Sequence, residues 1–188
     1  MADTDTLHIF HAVDDITPID FELLVKRWFE AQAGSISSFD AKHRELLAGV
    51  DGEYEIDVSI RFSMFGGAKF LVLVECKKHS NPIKREVVQV LNDRLRSTGG
   101  HKGFIFSTAP FQSGALTYAD KNGIALVQIA SGRTTYIQAT GGDPPPMPPG
   151  VPTHVGWHLS TNEEGHISMG LISENEPEHL ASILENAI

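Results

Sequence analysis

The chain has 188 residues, of which 41% are hydrophobic and 21% are charged, a composition typical of one globular domain. It has no run of 18 apolar residues, no basic start followed by an apolar run, and one cysteine, Cys76. We therefore expect no membrane span, no secretory signal, no internal disulfide and a reducing, cytoplasmic location.

The net charge of −9 is unevenly distributed along the chain, and this weakens the objection that it raises against a nucleic-acid partner. Residues 57–137 carry 11 basic and 5 acidic side chains, a balance of +6. Residues 1–56 carry −8 and residues 138–188 carry −7. A phosphate backbone responds to local potential, so the basic segment favours nucleic-acid binding; the alternative is an ordinary solvated surface.

The first predicted element is a helix from Pro18 to Ala33, capped by Thr17. Its apolar residues recur at helical spacing: Phe21, Leu24, Val25, Trp28 and Phe29. A short strand over Ile36–Phe39 and a loop or helical turn over Ala41–Gly52 should follow.

The next segments alternate between strands and helices, which predicts an α/β fold with a mixed sheet covered by helices. The predicted strands are Glu53–Phe62, Phe70–Lys77, Gly103–Thr108, Ile124–Ala130 and Arg133–Ala139, the last of which should pair with the strand before it. The predicted helices are Asn81–Arg96 and Phe111–Asn122, which Gly99-Gly100 and Gly123 end.

A segment rich in proline and glycine, Gly141–Pro152, is the clearest boundary in the sequence. We expect a domain over residues 1–140, a connector over 141–152 and an acidic C-terminal appendage over 153–188. The appendage should form a hairpin of His154–Ser160 with His166–Ile172, followed by a helix over Glu176–Ala187.

Two acidic residues and a lysine carry the predicted chemistry. Asp57 lies on the polar face of its strand, and Glu75 and Lys77 are two apart on the next strand, so they share one face. Glu75 interrupts an apolar run, where an unpaired charge would be costly, and a hard cation such as Mg²⁺ or Mn²⁺ bound with Asp57 would remove that cost. The alternative from spacing alone is a structural ion pair.

The order of these residues resembles the PD-(D/E)XK nuclease superfamily and, more narrowly, the Mrr-like restriction endonucleases. The similarity lies in Asp57, in the E-x-K tripeptide Glu75-Cys76-Lys77, and in flanking elements between residues 18 and 130. It implies a three-layer restriction-endonuclease-like fold, with Asp57 and Glu75 as metal-binding carboxylates and Lys77 as the catalytic lysine. It also implies that Glu22 serves a second metal or a water, and that Gln89 lies near the site. Both have an alternative as surface residues, and the superfamily's proline before the aspartate is replaced here by Ile56.

These inferences predict an endonuclease that requires Mg²⁺, with Mn²⁺ as a substitute, and hydrolyses double-stranded DNA in defence against foreign DNA. A homodimer or a larger complex through the C-terminal appendage is expected with it. The rival hypothesis is a non-catalytic subunit that uses the nuclease fold to bind DNA or a partner protein, which the acidic ends of the chain favour.

Overall fold

A computed structural model of the chain describes residues 13, 16–31, 36–132, 152–161, 166–173 and 178–185. Its central element is a seven-stranded sheet in which the strands follow one another in chain order. The strands are β1 Ser37–Ala48, β2 Glu53–Met64, β3 Ala68–Lys77, β4 Lys102–Ser107, β5 Ala125–Ser131, β6 His154–Thr161 and β7 Ile167–Ile172. The pairs β3–β4 and β4–β5 are parallel, and all other pairs are antiparallel.

Four described helices cover both faces of this sheet: α1 Pro18–Glu30, α2 Arg85–Thr98, α3 Ser113–Lys121 and α4 Glu178–Glu185. Buried side chains of α1 and α4 pack on one face, and those of α2 and α3 pack on the other. The predicted three-layer α/β fold is thus confirmed. Each described helix is too short or too polar to cross a lipid bilayer.

Local chemistry explains the helix ends. Thr17 caps α1, since its hydroxyl accepts a hydrogen bond from the backbone N–H of Asp20 at 3.1 Å, and Pro18 suits the first helical position. Gly99 ends α2 in the left-handed conformation at φ 70°, which glycine adopts without a steric penalty. Gly99 thus fixes the end of α2, the helix that carries Arg94.

The first predicted loop is wrong. Residues Ala41–Gly52 were expected to be a loop or helical turn, but most of them belong to β1, which pairs with β2 over its length. Strand β1 lies at the sheet edge, and its few core-packing side chains, Phe39, Ala41 and Leu47, are separated by polar ones. Ser38 and Arg44 also have positive φ, so the sequence lacks a regular apolar alternation.

The second helix also begins later than predicted. It starts at Arg85 rather than near Asn81-Pro82, because Ile83 is extended and forms a bridge with Phe111. The same bridge keeps Phe111 out of α3, which starts at Ser113.

The predicted strand Arg133–Ala139 lies outside the described residues. Its expected place beside β5 is taken by β6, which pairs antiparallel with β5. The predicted hairpin is found as β6 and β7, and α4 packs Leu180, Ile183 and Leu184 into the core beside α1. The division into domain, connector and appendage stays a prediction, while these strands extend the central sheet itself.

Candidate active site

Asp57 and Glu75 lie where β2 and β3 stop pairing. The last paired residues are Val58 and Val74, and one step further in the same register Asp57 stands opposite Glu75. The Oδ2 atom of Asp57 accepts a hydrogen bond from the backbone N–H of Cys76 at 2.7 Å. The side chain of Asp57 therefore satisfies a backbone donor of β3 just beyond the paired ladder, and the two carboxylates face one small region.

The electrostatic environment of Asp57 is unfavourable for its charged form. Its pKa is raised from 3.8 to about 6, first by burial and then by the negative charge of Glu75. The charge of Glu22 raises it further, whereas the N–H of Cys76 and the ammonium of Lys77 lower it. Burial and the neighbouring carboxylates thus outweigh the groups that favour the charged form of Asp57.

Glu75 is held by two cations. Its side chain is only 10% exposed; Oε1 forms a hydrogen-bonded ion pair with Lys77, and Oε2 lies 2.7 Å from Nη1 of Arg94. Lys77 shares the strand and face of Glu75, as expected from their spacing of two. Arg94 reaches the site from α2, and the sequence indicated it only as one of the basic side chains of residues 57–137.

The sequence does contain a signal for Arg94. It lies between the buried Leu91 and Leu95 of α2, at the border of the apolar stripe, where a long side chain can reach the sheet. This position indicates that the side chain of Arg94 lies against the core, but it does not indicate that Glu75 is its partner.

Glu22 lies in the same electrostatic neighbourhood. It is 6% exposed in α1, and its carboxylate binds Nε2 of His43 at 2.6 Å and Arg44 at 2.9 and 3.1 Å. Burial is the largest single influence and raises its pKa, but the hydrogen bonds and charges of Arg44 and His43 together bring the pKa below its ordinary value. Glu22 is therefore a buried, paired carboxylate whose charge acts on Asp57, not a solvated helix residue.

Gln89 occupies a different surface. It is exposed on α2 and lines a cavity of about 370 Å³ together with Asn92 and Tyr118. Gln89 and Arg94 are five positions apart, which separates them by about 140° around the helix axis. In the described part of the chain, no hydrogen bond or ion pair joins Gln89 to Asp57, Glu75 or Lys77.

The donor chemistry at Asp57 and Glu75 fits a hard divalent cation. Both residues offer carboxylate oxygens, and a bound cation would oppose the burial and the charge of Glu75 that raise the pKa of Asp57. Within residues 13–185 as far as they are described, no three His, Cys, Asp or Glu side chains lie close enough to form a ready-made metal site. Cys76 is buried on the other face of β3, and burial raises the pKa of its thiol, so it is a core residue here.

A mixed sheet with an aspartate on one strand and E-x-K on the next is the arrangement of a restriction-endonuclease-like nuclease domain. The model of the restriction endonuclease family Mrr_cat matches residues 13–131, which is more than half of the sequence, and the chain belongs to this family. Membership indicates nuclease activity on DNA.

Two solved structures resemble the chain. A crystal structure of a protein of unknown function, AF1548, is 25% identical with a TM-score of 0.46, covering 57% of this chain and 55% of that one. The MspJI restriction endonuclease in complex with a 27-mer oligonucleotide is 22% identical with a TM-score of 0.41, covering 56% of this chain and 24% of that one. This chain thus matches about half of the first protein and a quarter of the second. No curated protein matches it.

Proposed function

We propose that this chain is a metal-dependent endonuclease that hydrolyses phosphodiester bonds of double-stranded DNA, in defence against foreign DNA. One observation carries the proposal: the half-buried Asp57 stands opposite Glu75, and burial together with the negative charge of Glu75 raises the pKa of Asp57 to about 6. Family membership supports the reaction class. Sites that bind a metal commonly keep such an unfavourable charge arrangement.

Asp57 and Glu75 are the proposed ligands of Mg²⁺, with Mn²⁺ as a substitute. The ion would supply positive charge beside the scissile phosphate and make a nearby water more acidic. Glu22 is proposed as the acidic residue that serves a second ion or a water, since its charge acts on Asp57. These carboxylates come from α1, β2 and β3, so the packing of α1 on the sheet positions the whole set.

Lys77 has the second role. Its ammonium lies against Glu75, where it can orient a water molecule, help to deprotonate it and stabilise the negative charge that develops during in-line attack. Arg94 orients Glu75 through the 2.7 Å ion pair and adds a second positive charge at the same place. The role of Gln89 near the site, which rests on the resemblance, stays a proposal.

The test is a DNA-nicking assay on the full chain with Mg²⁺ or Mn²⁺. Asp57→Asn, Glu75→Gln and Lys77→Met should each reduce the rate by about 100-fold or more, since each removes a group required at the reacting phosphate. Lys78→Met is the matched control, because it removes the neighbouring positive charge and should leave most of the rate. Circular dichroism should show an intact fold. Cleavage that survives equally in all three variants would refute the site, and RNA offered in parallel decides the substrate.

The rival is a non-catalytic subunit that binds DNA or a protein. Its specific support is that both oxygens of Glu75 and both oxygens of Glu22 already bind cationic side chains or histidine. Calorimetry distinguishes the two hypotheses, since a chain that binds neither Mg²⁺ nor Mn²⁺ at these carboxylates fits the rival. The homodimer or larger complex through the C-terminal appendage is also a proposal, and light scattering of the full chain tests it.

A further inference from the structure

A second polar cavity lies at the opposite end of the sheet from Glu75 and Lys77. Its volume is about 180 Å³, and it lies where β4 and β5 begin, whereas Glu75 and Lys77 lie near the end of β3, which runs parallel to β4. This volume gives room for several water molecules, enough for a small ion. Its walls come from β4 and α3 of the family-matched region and from β6 and α4, which lie beyond that region.

Lys102 supplies the positive charge of this cavity. It is half-buried at the start of β4, and burial lowers its pKa. In the described part of the chain it has no hydrogen bond and no ion pair, and none of the influences on its pKa is an acidic partner. A partly buried ammonium without a counter-charge is unfavourable, so an anion in the cavity would stabilise it.

A pair of histidines supplies a second donor. His158 lines the cavity, and its Nδ1 lies 3.4 Å from Nε2 of His179 on α4. Burial, followed by the charges of His179 and Lys102, lowers the pKa of His158 to about 4, so its ring is neutral at pH 7. When Nδ1 accepts the proton of His179, the ring proton of His158 is on Nε2, which can then donate a hydrogen bond to an anion.

We propose that this cavity is a binding site for a small oxyanion of the phosphate class, held by the ammonium of Lys102 and the Nε2–H of His158. Ser160 lines the same cavity, and its hydroxyl can serve as a further donor. Asp120 of α3 also lines it and selects among anions, because its carboxylate repels a fully ionised oxyanion but accepts a hydrogen bond from one that keeps a proton. Hydrogen phosphate keeps a proton near pH 7, and sulfate does not.

The site joins two parts of the chain. Lys102 and Asp120 belong to the family-matched region, whereas His158 and Ser160 belong to the strand that extends the sheet. Bound oxyanion would therefore stabilise the docking of β6 and α4 on the nuclease core. This inference does not rest on the proposed cleavage reaction.

The experiment is calorimetric titration of the full chain with inorganic phosphate at pH 7 in the presence of EDTA. Saturable binding is expected, at least about tenfold weaker in Lys102→Met, which keeps the side-chain volume but removes the charge-assisted hydrogen bond. Lys121→Met is the matched control, since Lys121 is exposed on α3 nearby and should not change the affinity. Lys77→Met should also leave it unchanged, which separates this cavity from the candidate active site.

A second readout guards against a folding defect in the variant. Phosphate should raise the pKa of His158 in NMR titrations of the wild-type chain, where Lys102 and Asp120 are the other titratable groups that line the cavity and His179 contacts His158 from α4. Equal phosphate affinity in the wild-type chain and Lys102→Met would overturn the proposal. The proposal would also be overturned if Lys77→Met lost its phosphate affinity, or if the wild-type chain bound no phosphate at millimolar concentration. It would equally be overturned if sulfate bound as tightly as phosphate, or if Zn²⁺ bound by the two histidines stabilised the protein and phosphate did not.

Discussion

Replacing Asp57 with asparagine should stabilise the metal-free protein at neutral and alkaline pH. Asparagine has nearly the same shape, and its Oδ1 can still accept the hydrogen bond from the N–H of Cys76. The substitution removes a half-buried negative charge opposite Glu75. A substitution that would abolish the proposed activity is thus expected to strengthen the fold, as is common where a functional site keeps unfavourable charge.

The magnitude follows from the pKa of Asp57. A carboxyl with a pKa of about 6 when folded and 3.8 when unfolded binds its proton more tightly in the folded chain, so stability is lost as pH rises from about 4 through 6. The full difference corresponds to about 3 kcal/mol. Solvent reaches part of this side chain and screens the effect, so we expect a gain of about 1–2 kcal/mol for Asp57→Asn at pH 8 and almost none at pH 4.

Urea unfolding of both proteins in EDTA, at pH 4 and at pH 8, measures this difference. Asp93→Asn is the control, because Asp93 is exposed on α2 and its replacement should change stability by less than about 0.5 kcal/mol. Adding Mg²⁺ should then stabilise the wild-type chain and leave Asp57→Asn unchanged. The reasoning fails if Asp57→Asn is less stable than wild type at pH 8, or if its gain is the same at both pH values.

Three further results are expected. Arg94→Gln should lower kcat/KM for DNA cleavage about tenfold or more and Gln89→Ala should lower it less, since of the two only the arginine contacts Glu75, the carboxylate proposed to bind the ion; the reverse order would contradict the geometry. His158 should cost up to about 3 kcal/mol of stability as pH falls from 6.5 to 4, because the unfolded chain protonates its imidazole while the folded chain resists it. Asp57 acts in the opposite direction over part of this range, so urea titrations should measure the effect as the difference between wild type and His158→Gln. Gly156→Ala should destabilise the protein by about 1–3 kcal/mol in thermal unfolding, because the new Cβ would lie 2.8 Å from Val127 of β5 and 2.9 Å from the ring of Trp28 of α1. Gly52→Ala is the control, since its Cβ would meet nothing within 4 Å.

The core strands β2 and β3 could be predicted from the sequence because the pattern of apolar residues within each segment is enough to indicate a strand. Apolar and polar residues alternate in β2, as the two-residue period of a strand predicts. The apolar run in β3 is continuous, as is typical of a strand that is buried on both faces. The part of β1 beyond Phe39 was not predicted, since its apolar side chains are few and separated by polar ones, and the positive φ of Arg44 interrupts the alternation. The neighbour of β5 could not be predicted either, because Arg133–Ala139 and His154–Ser160 were both plausible strands. The pairing of β5 with β6 is seen only in the assembled sheet.

Part of the candidate site could be predicted from the sequence and part could not. The convergence of Asp57, Glu75 and Lys77 follows from strand register, which the alternation of side chains specifies. The arginines at Glu75 and Glu22 were not assigned, since Arg94 and Arg44 reach them from other elements across the packed layers. Contacts of this kind depend on how helices lie on the sheet, which no local pattern records.

The antiparallel pairing of β5 with β6 has a practical consequence for anyone who trims this chain. The family match ends at residue 131, at the last residue of β5, and a fragment cut there would leave that strand as a bare edge. Apart from Ser131 its residues are buried in the whole protein, so the fragment would present an apolar row of unpaired N–H and C=O groups. Such an edge recruits other copies, and the shortened protein should form aggregates where the whole chain stays dispersed.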